Sequence, residues 1–152
     1  MKKLWIYIKS ILLPVIIGGI VGFIISGFMD YETLQKPPLS PPGSIFPIMW
    51  TILYALMGIS YARLKIKDVV DSSIRYSYYL QLFVNAMWSI FFFVLKWRFF
   101  SFIWILLLIV LVIIMIIKFY SKDKISGILQ IPYLLWILFA SYLNLGIYFL
   151  NR

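Results

Sequence analysis

Five long apolar stretches separated by short polar segments dominate this chain, and all five acidic residues fall between them. The stretches run from Leu4 to Phe28, Ser44 to Leu64, Ser73 to Leu95, Phe99 to Ile117 and Gly127 to Leu150. Each can cross about 30 Å of hydrocarbon at about 1.5 Å per residue. They are too long and too evenly apolar for barrel strands, which run to about ten residues of alternating polarity. In lipid every backbone amide needs an internal partner, so the pattern predicts an all-α integral membrane protein: one domain over residues 1–152, a bundle of five transmembrane helices. Lys2 and Lys3 ahead of the first stretch resemble a signal-peptide start. That stretch runs on too long, however, and no A-x-A-like cleavage site comes after it, so it is read as the first helix.

The longest connection, Asp30 to Gly43, carries Pro37, Pro38, Pro41 and Pro42. Each proline fixes its own φ and biases the preceding residue towards extended backbone, so the segment is stiff. It is either a solvated linker or a lid over one end of the bundle. Pro47 falls in the first turn of the second helix, where a missing N–H costs nothing. Pro14 and Pro132 sit deeper, and each predicts a bend where an upstream carbonyl is freed. No internal repeat divides the chain, which argues against an inverted-repeat transporter.

Composition agrees: 64% of residues are hydrophobic, leaving too little polar surface to cover a soluble core. The net charge of +9 does not point to nucleic acid, because the basic residues sort by membrane side and form no single patch. Ten fall on the side of the N-terminus and four on the other, so the positive-inside rule predicts a cytoplasmic N-terminus and an external C-terminus. The chain has no cysteine and no histidine. Disulfides, thiolate chemistry and imidazole ligation are thereby excluded, no metal site is expected, and any axial ligand to a tetrapyrrole would have to be tyrosine or methionine.

No acidic residue lies inside a span, and the lysines and arginines sit in loops or at helix ends where they can snorkel, which argues against an ion or proton carrier. The polar groups left inside the spans are chiefly Gln81, Asn85 and Asn144. Gln81, Asn85 and Trp88 share one face of the third helix, serving either as interhelical hydrogen bonds or as ligand contacts. Phe46, Trp50, Tyr54, Met57 and Tyr61 form a stripe on the second helix, and Trp136, Ala140, Leu143 and Asn144 another on the fifth. Trp5 and Trp97 suit interfacial anchors, whereas Trp50 and Trp136 lie about two turns inside their helices. Gly18, Gly22 and Ser26 make a small-residue row on the first helix, for close packing or for room beside a ligand. An aromatic cavity with a few amides suits a flat macrocycle.

These residues resemble the translocator protein family, also called TspO/MBR, tryptophan-rich sensory proteins or peripheral benzodiazepine receptors, in its bacterial type. The likeness is carried by Leu34-Gln35-Lys36-Pro37 with Pro41-Pro42, by Trp50 with Leu53-Tyr54 and Met57-Gly58, and by Gln81, Asn85 and Trp88. Pro132-Tyr133-Leu134 with Trp136, Phe139-Ala140 and Leu143-Asn144 complete it. The resemblance implies a five-helix bundle, usually a homodimer in a bacterial cell membrane, with a pocket under the first loop. That pocket would bind protoporphyrin IX or a related tetrapyrrole as ligand, with no obligatory cofactor, and isoquinoline carboxamide or benzodiazepine drugs. Its expected contacts are Gly22 on the first helix, Tyr31 and Pro42 in the loop, and Phe46, Trp50 and Tyr54 on the second helix. Gln81, Asn85 and Trp88 on the third and Trp136, Phe139, Ala140 and Leu143 on the fifth join them. Mitochondrial relatives imply cholesterol as well, but the C-terminal Tyr148 is shifted from their pattern and the basic tail is missing, which counts against it. Three functions are expected on this basis: a sensor, scavenger or carrier of tetrapyrroles; light- and oxygen-dependent degradation of bound porphyrin, with Trp50 and Trp136 as catalytic contacts; or a structural, partner-docking membrane protein.

Overall fold

The computed structural model describes residues 1–152 and contains helices without strands. α1 spans Lys2–Ser26, α2 Ile45–Ile66, α3 Ser72–Ser89, α4 Arg98–Lys122, α5 Lys124–Ile128 and α6 Ile131–Asn151. A single 3-10 turn, Tyr31–Thr33, interrupts the first loop, and α3 runs on as a π-helical turn at Ile90–Val94. Five segments are long and apolar enough to cross a membrane, α5 and α6 together making the fifth. Large apolar side chains cover the outside, Phe23 among them at 83% exposed. Such a surface is stable against acyl chains and not against water.

Two sequence expectations are corrected. α4 continues past Ile117 to Lys122, because Lys118 and Lys122 can extend their ammonium groups beyond the apolar zone. The fifth span is not one helix from Gly127: it breaks at Leu129 and Gln130, and Pro132 stands in the first turn of α6. Proline there lacks only an N–H that would have had no intrahelical partner, so it begins a helix and bends none. Pro14, by contrast, lies inside an unbroken α1.

The helices form a ring in the order α1, α2, fifth span, α4, α3, with α3 closing on α1. The end bearing the N-terminus is tightly shut. Gly58 lets α2 touch the α1 backbone, since a Cβ there would overlap Ser10 and Ile11. The Ser60 and Ser126 hydroxyls each donate to the other's carbonyl, at 2.7 and 3.0 Å. Asp123 accepts from Arg63 Nε at 2.7 Å and Lys67 Nζ at 2.8 Å, while also capping α5 through the Ser126 N–H at 3.2 Å. At the opposite, distal end Phe46 and Trp50 of α2 meet Trp136 of α6, and the first loop is hydrogen-bonded to α6.

Candidate functional site

A cavity of about 410 Å³ occupies the distal half of the bundle, walled by α1, α2, the end of α3 with its π turn, and α6. One side is a chain of aromatic rings. Tyr31 meets Phe46 edge-on at 4.9 Å, Phe46 meets Trp136 at 5.9 Å, and Trp136 stands at 88° to Trp50 at 6.4 Å. Trp50 then stacks on Tyr54 at 5.5 Å. Trp88, Phe92 and Phe93 of α3 and its π turn, with Ala140, Leu143 and Ile147 of α6, also line the cavity. The wall has no ionisable side chain other than tyrosine, so it offers shape and π faces and no general acid or base.

The floor is a hydrogen-bond relay. Tyr54 donates its hydroxyl to Asn85 Oδ1 at 2.5 Å, Asn85 Nδ2 donates to Tyr133 Oη at 2.7 Å, and Tyr133 donates to Gln81 Oε1 at 2.8 Å. Gln81 Nε2 ends it on the Tyr78 carbonyl at 2.9 Å. Gln81 and Asn85 are therefore corrected as wall residues. Both are buried and lie outside the cavity lining, because their amides are engaged by α2, α6 and their own helix. Trp88 does line the cavity, its indole N–H held by Asn144 Oδ1 at 3.0 Å.

Two further expected contacts lie off the wall. Phe139 stands behind Trp136 at 5.8 Å and stacks on Tyr142. Pro42 is an exposed loop residue whose carbonyl accepts the Ile45 N–H. Gly22, Tyr31, Phe46, Trp50, Tyr54, Trp88, Trp136, Ala140 and Leu143 all line the cavity. Phe92 and Phe93 line it too, and sequence reasoning missed them. Phe92, four residues after Trp88, falls on the inward face by a regular 3.6-residue count, whereas Phe93, at five residues, joins it only because the chain there winds as a π turn.

Gly18 packs against Tyr54, where a Cβ would overlap the ring, but Cβ atoms at Gly19 and Gly22 would meet nothing within 4 Å. Gly19, Gly22 and Ser26 on α1 and Thr51 on α2 are exposed lining residues, whereas the α3 and α6 walls are buried. The open side of the cavity thus lies between α1 and α2. Across the top, Tyr31 donates to the Pro41 carbonyl at 2.7 Å, and Lys36 Nζ lies 4.8 Å from its ring centroid. Burial raises the Tyr31 pKa, so it remains a neutral phenol at physiological pH. The loop is strapped to α6: Tyr142 donates to the Pro38 carbonyl at 2.6 Å, Asn151 exchanges two hydrogen bonds with the Gln35 backbone, and Pro37 fills the space over Gly146. One polar group on the wall is unsatisfied, the buried indole N–H of Trp136.

A sequence model of the TspO/MBR family matches residues 10–150. The tryptophan-rich protein TspO of Archaeoglobus fulgidus is 37% identical over 147 residues, covering 95% of both chains. Protein CrtK of Rhodobacter capsulatus is 33% identical over 137 residues, 88% of this chain and 86% of its own. The translocator protein of Ovis aries is 32% identical over 124 residues, 78% of this chain and 72% of its own.

Proposed function

Because this chain belongs to the TspO/MBR family of integral, multi-pass membrane proteins, we propose that its distal cavity binds porphyrins and related tetrapyrroles, with the protein acting as their sensor, scavenger or carrier. The observation that carries this reading is the unbroken series of rings from Tyr31 to Tyr54 along an apolar cavity. A flat macrocycle gains from several ring contacts at once, each at a centroid separation of about 4.5 to 7 Å. Isoquinoline carboxamides and benzodiazepines would use the same wall. The stiff, strapped first loop would act as a lid on the distal end, while the gap between α1 and α2 would admit lipid-dissolved ligands. The excess of basic residues at the N-terminal end supports a cytoplasmic N-terminus.

The second reading, light-driven porphyrin degradation, is favoured by the Trp50 and Trp136 pair, two oxidisable indoles on the cavity wall 6.4 Å apart. With no acid or base at hand, such chemistry would start from the excited pigment and oxygen. Titrating purified protein with protoporphyrin IX in the dark, and then illuminating the complex in air, tests both. Saturable quenching of tryptophan fluorescence supports binding, and loss of the porphyrin absorbance faster than in free solution supports degradation. Neither response would leave a structural role.

A further inference from the structure

At the distal end α4 begins beside the end of α6, and a shallow groove of about 210 Å³ lies between them. It is lined by Lys96, Arg98, Ile147, Tyr148, Asn151 and Arg152. The positive-inside rule gathers basic residues at one end of a bundle, here that of the N-terminus. Four lie at the opposite end, and three of those four meet in this one groove. The fourth, Lys36, donates instead to the Tyr31 and Leu34 carbonyls at 2.9 and 3.2 Å.

The three differ in how far they are engaged. Arg98 Nη2 binds both Asp30 oxygens, at 2.9 and 3.1 Å, and its guanidinium carbon packs 5.1 Å from the ring centroid of Phe92. Arg98 and Phe92 thus form the layer that shuts the groove off from the aromatic cavity. Lys96 Nζ stands 3.4 Å from Asp30 with its side chain 45% exposed, and Arg152 makes no ion pair. One carboxylate against three cations leaves the groove positive. Lys96 is carried by a left-handed backbone, φ 57°, a conformation that glycine takes without strain and lysine seldom adopts.

The surface beside the groove is apolar. Phe99 on α4 and Phe149 and Leu150 on α6 are exposed, and the Phe99 ring lies 5.2 Å from that of Tyr148. Cations above a lipid-facing seam of two helices complement a molecule with an anionic head and hydrocarbon tails.

We infer that this groove binds the headgroup of an anionic phospholipid, its phosphate meeting Lys96 and Arg152 and its acyl chains lying along the seam between α4 and α6. Guanidinium and ammonium groups donate charge-assisted hydrogen bonds to phosphate oxygens. A free phosphate would use the same two cations and gain nothing from the seam. The site is separate from the cavity and holds whether or not the cavity takes a porphyrin.

Native mass spectrometry of the full chain in detergent tests this, with phosphatidylglycerol and phosphatidylcholine of identical chains supplied at equal concentration. Wild-type protein is expected to retain one phosphatidylglycerol about tenfold more tightly than phosphatidylcholine. Lys96→Gln combined with Arg152→Gln should bring the two lipids to parity, while Lys2→Gln combined with Lys3→Gln, at the other end of the bundle, should keep the preference. Arg152→Gln alone, which breaks no ion pair, should lose part of it and serves if the double variant folds poorly. Glycerophosphoglycerol, the headgroup without its chains, should fail to displace the lipid at the same concentration. Equal retention of both lipids by wild-type protein overturns the inference, as does a preference that survives in the groove variants. Displacement by the chainless headgroup makes the groove a simple anion site and overturns the lipid assignment.

Discussion

Tyr54 turns its ring to the cavity and its hydroxyl to Asn85, 2.5 Å away, so one side chain is both wall and floor. Asn85 passes the connection to Tyr133, and through it to Gln81. A polar relay placed beneath an apolar cavity separates two roles, since the hydroxyl and amide groups that tie α2, α3 and α6 together are distinct from the ring faces that line the cavity.

Asn85→Ala should accordingly lower stability by about 1 to 2 kcal/mol, the cost of stranding the Tyr54 hydroxyl and of removing one donor from Tyr133, which keeps its bond to Gln81. Porphyrin affinity should change by less than about threefold, well under 1 kcal/mol. Thermal unfolding in detergent, set beside a binding titration, checks the split. A large affinity loss with unchanged stability would return Asn85 to the wall.

Trp50→Ala and Trp136→Ala should each weaken porphyrin binding by about 1 to 3 kcal/mol, the scale of removing a large buried ring from a contact surface. Their phenylalanine counterparts should keep most of the affinity. If degradation occurs, those same phenylalanine variants should lose the bound pigment's absorbance more slowly under light. Unchanged quenching by both alanine variants, with the fold intact, would sink the ring-binding assignment.

Two glycines of α1 should behave oppositely. Gly18→Ala pushes into the Tyr54 ring and should destabilise the bundle, while Gly22→Phe enters open space at the cavity mouth. Gly22→Phe should slow porphyrin association without lowering the melting temperature. Stopped-flow mixing reads the rate, and an unaltered rate would remove the gap between α1 and α2 as the route of access.

The loop prolines bear on the opposite rate. Replacing Pro37, Pro38, Pro41 and Pro42 with alanine should speed ligand release more than it lowers stability, because the closed loop loses preorganisation while the helices keep their contacts. Displacement of bound porphyrin tracked in real time checks it. No change in that rate would make the loop an ordinary linker.

Asp123 sets the acid limit of the closed end. The hydrogen bond from Arg63 first, then those from Lys67 and Ser126, hold its carboxyl well below the usual carboxylate range, against the opposing effect of burial. A depressed folded pKa means that this stabilisation is complete above the unfolded value of about 3.9 and is lost as pH falls from there through the folded value. Melting temperature should therefore drop on acidification below about pH 4. Asp123→Asn should melt lower at neutral pH and show a shallower acid decline; parallel acid profiles for the two proteins would contradict this.

Hydropathy alone located the five spans, the aromatic stripes and the charge-free interior, because a bilayer imposes one requirement on every residue of a span and each residue answers it locally. Trp50, Tyr54, Trp88 and Trp136 could be placed facing inward for the same reason: a 3.6-residue period is visible in the chain. The period cannot say which inward groups meet one another. Gln81 and Asn85 share the inward face with Trp88, yet they end in a relay because Tyr54 and Tyr133 arrive from two other helices. The start of a new helix at Pro132 and the π turn that brings in Phe93 are likewise not legible in the pattern, since Pro132 reads as a bend within one helix and Ile90–Val94 is uniformly apolar and reads as continuous α-helix. The pattern along the chain thus settles the solvent and the inward faces. Packing settles the order of helices around the ring, and through it which polar groups hold the bundle together and which rings remain free to face a ligand, because hydrogen bonds between helices exist only where two particular faces adjoin.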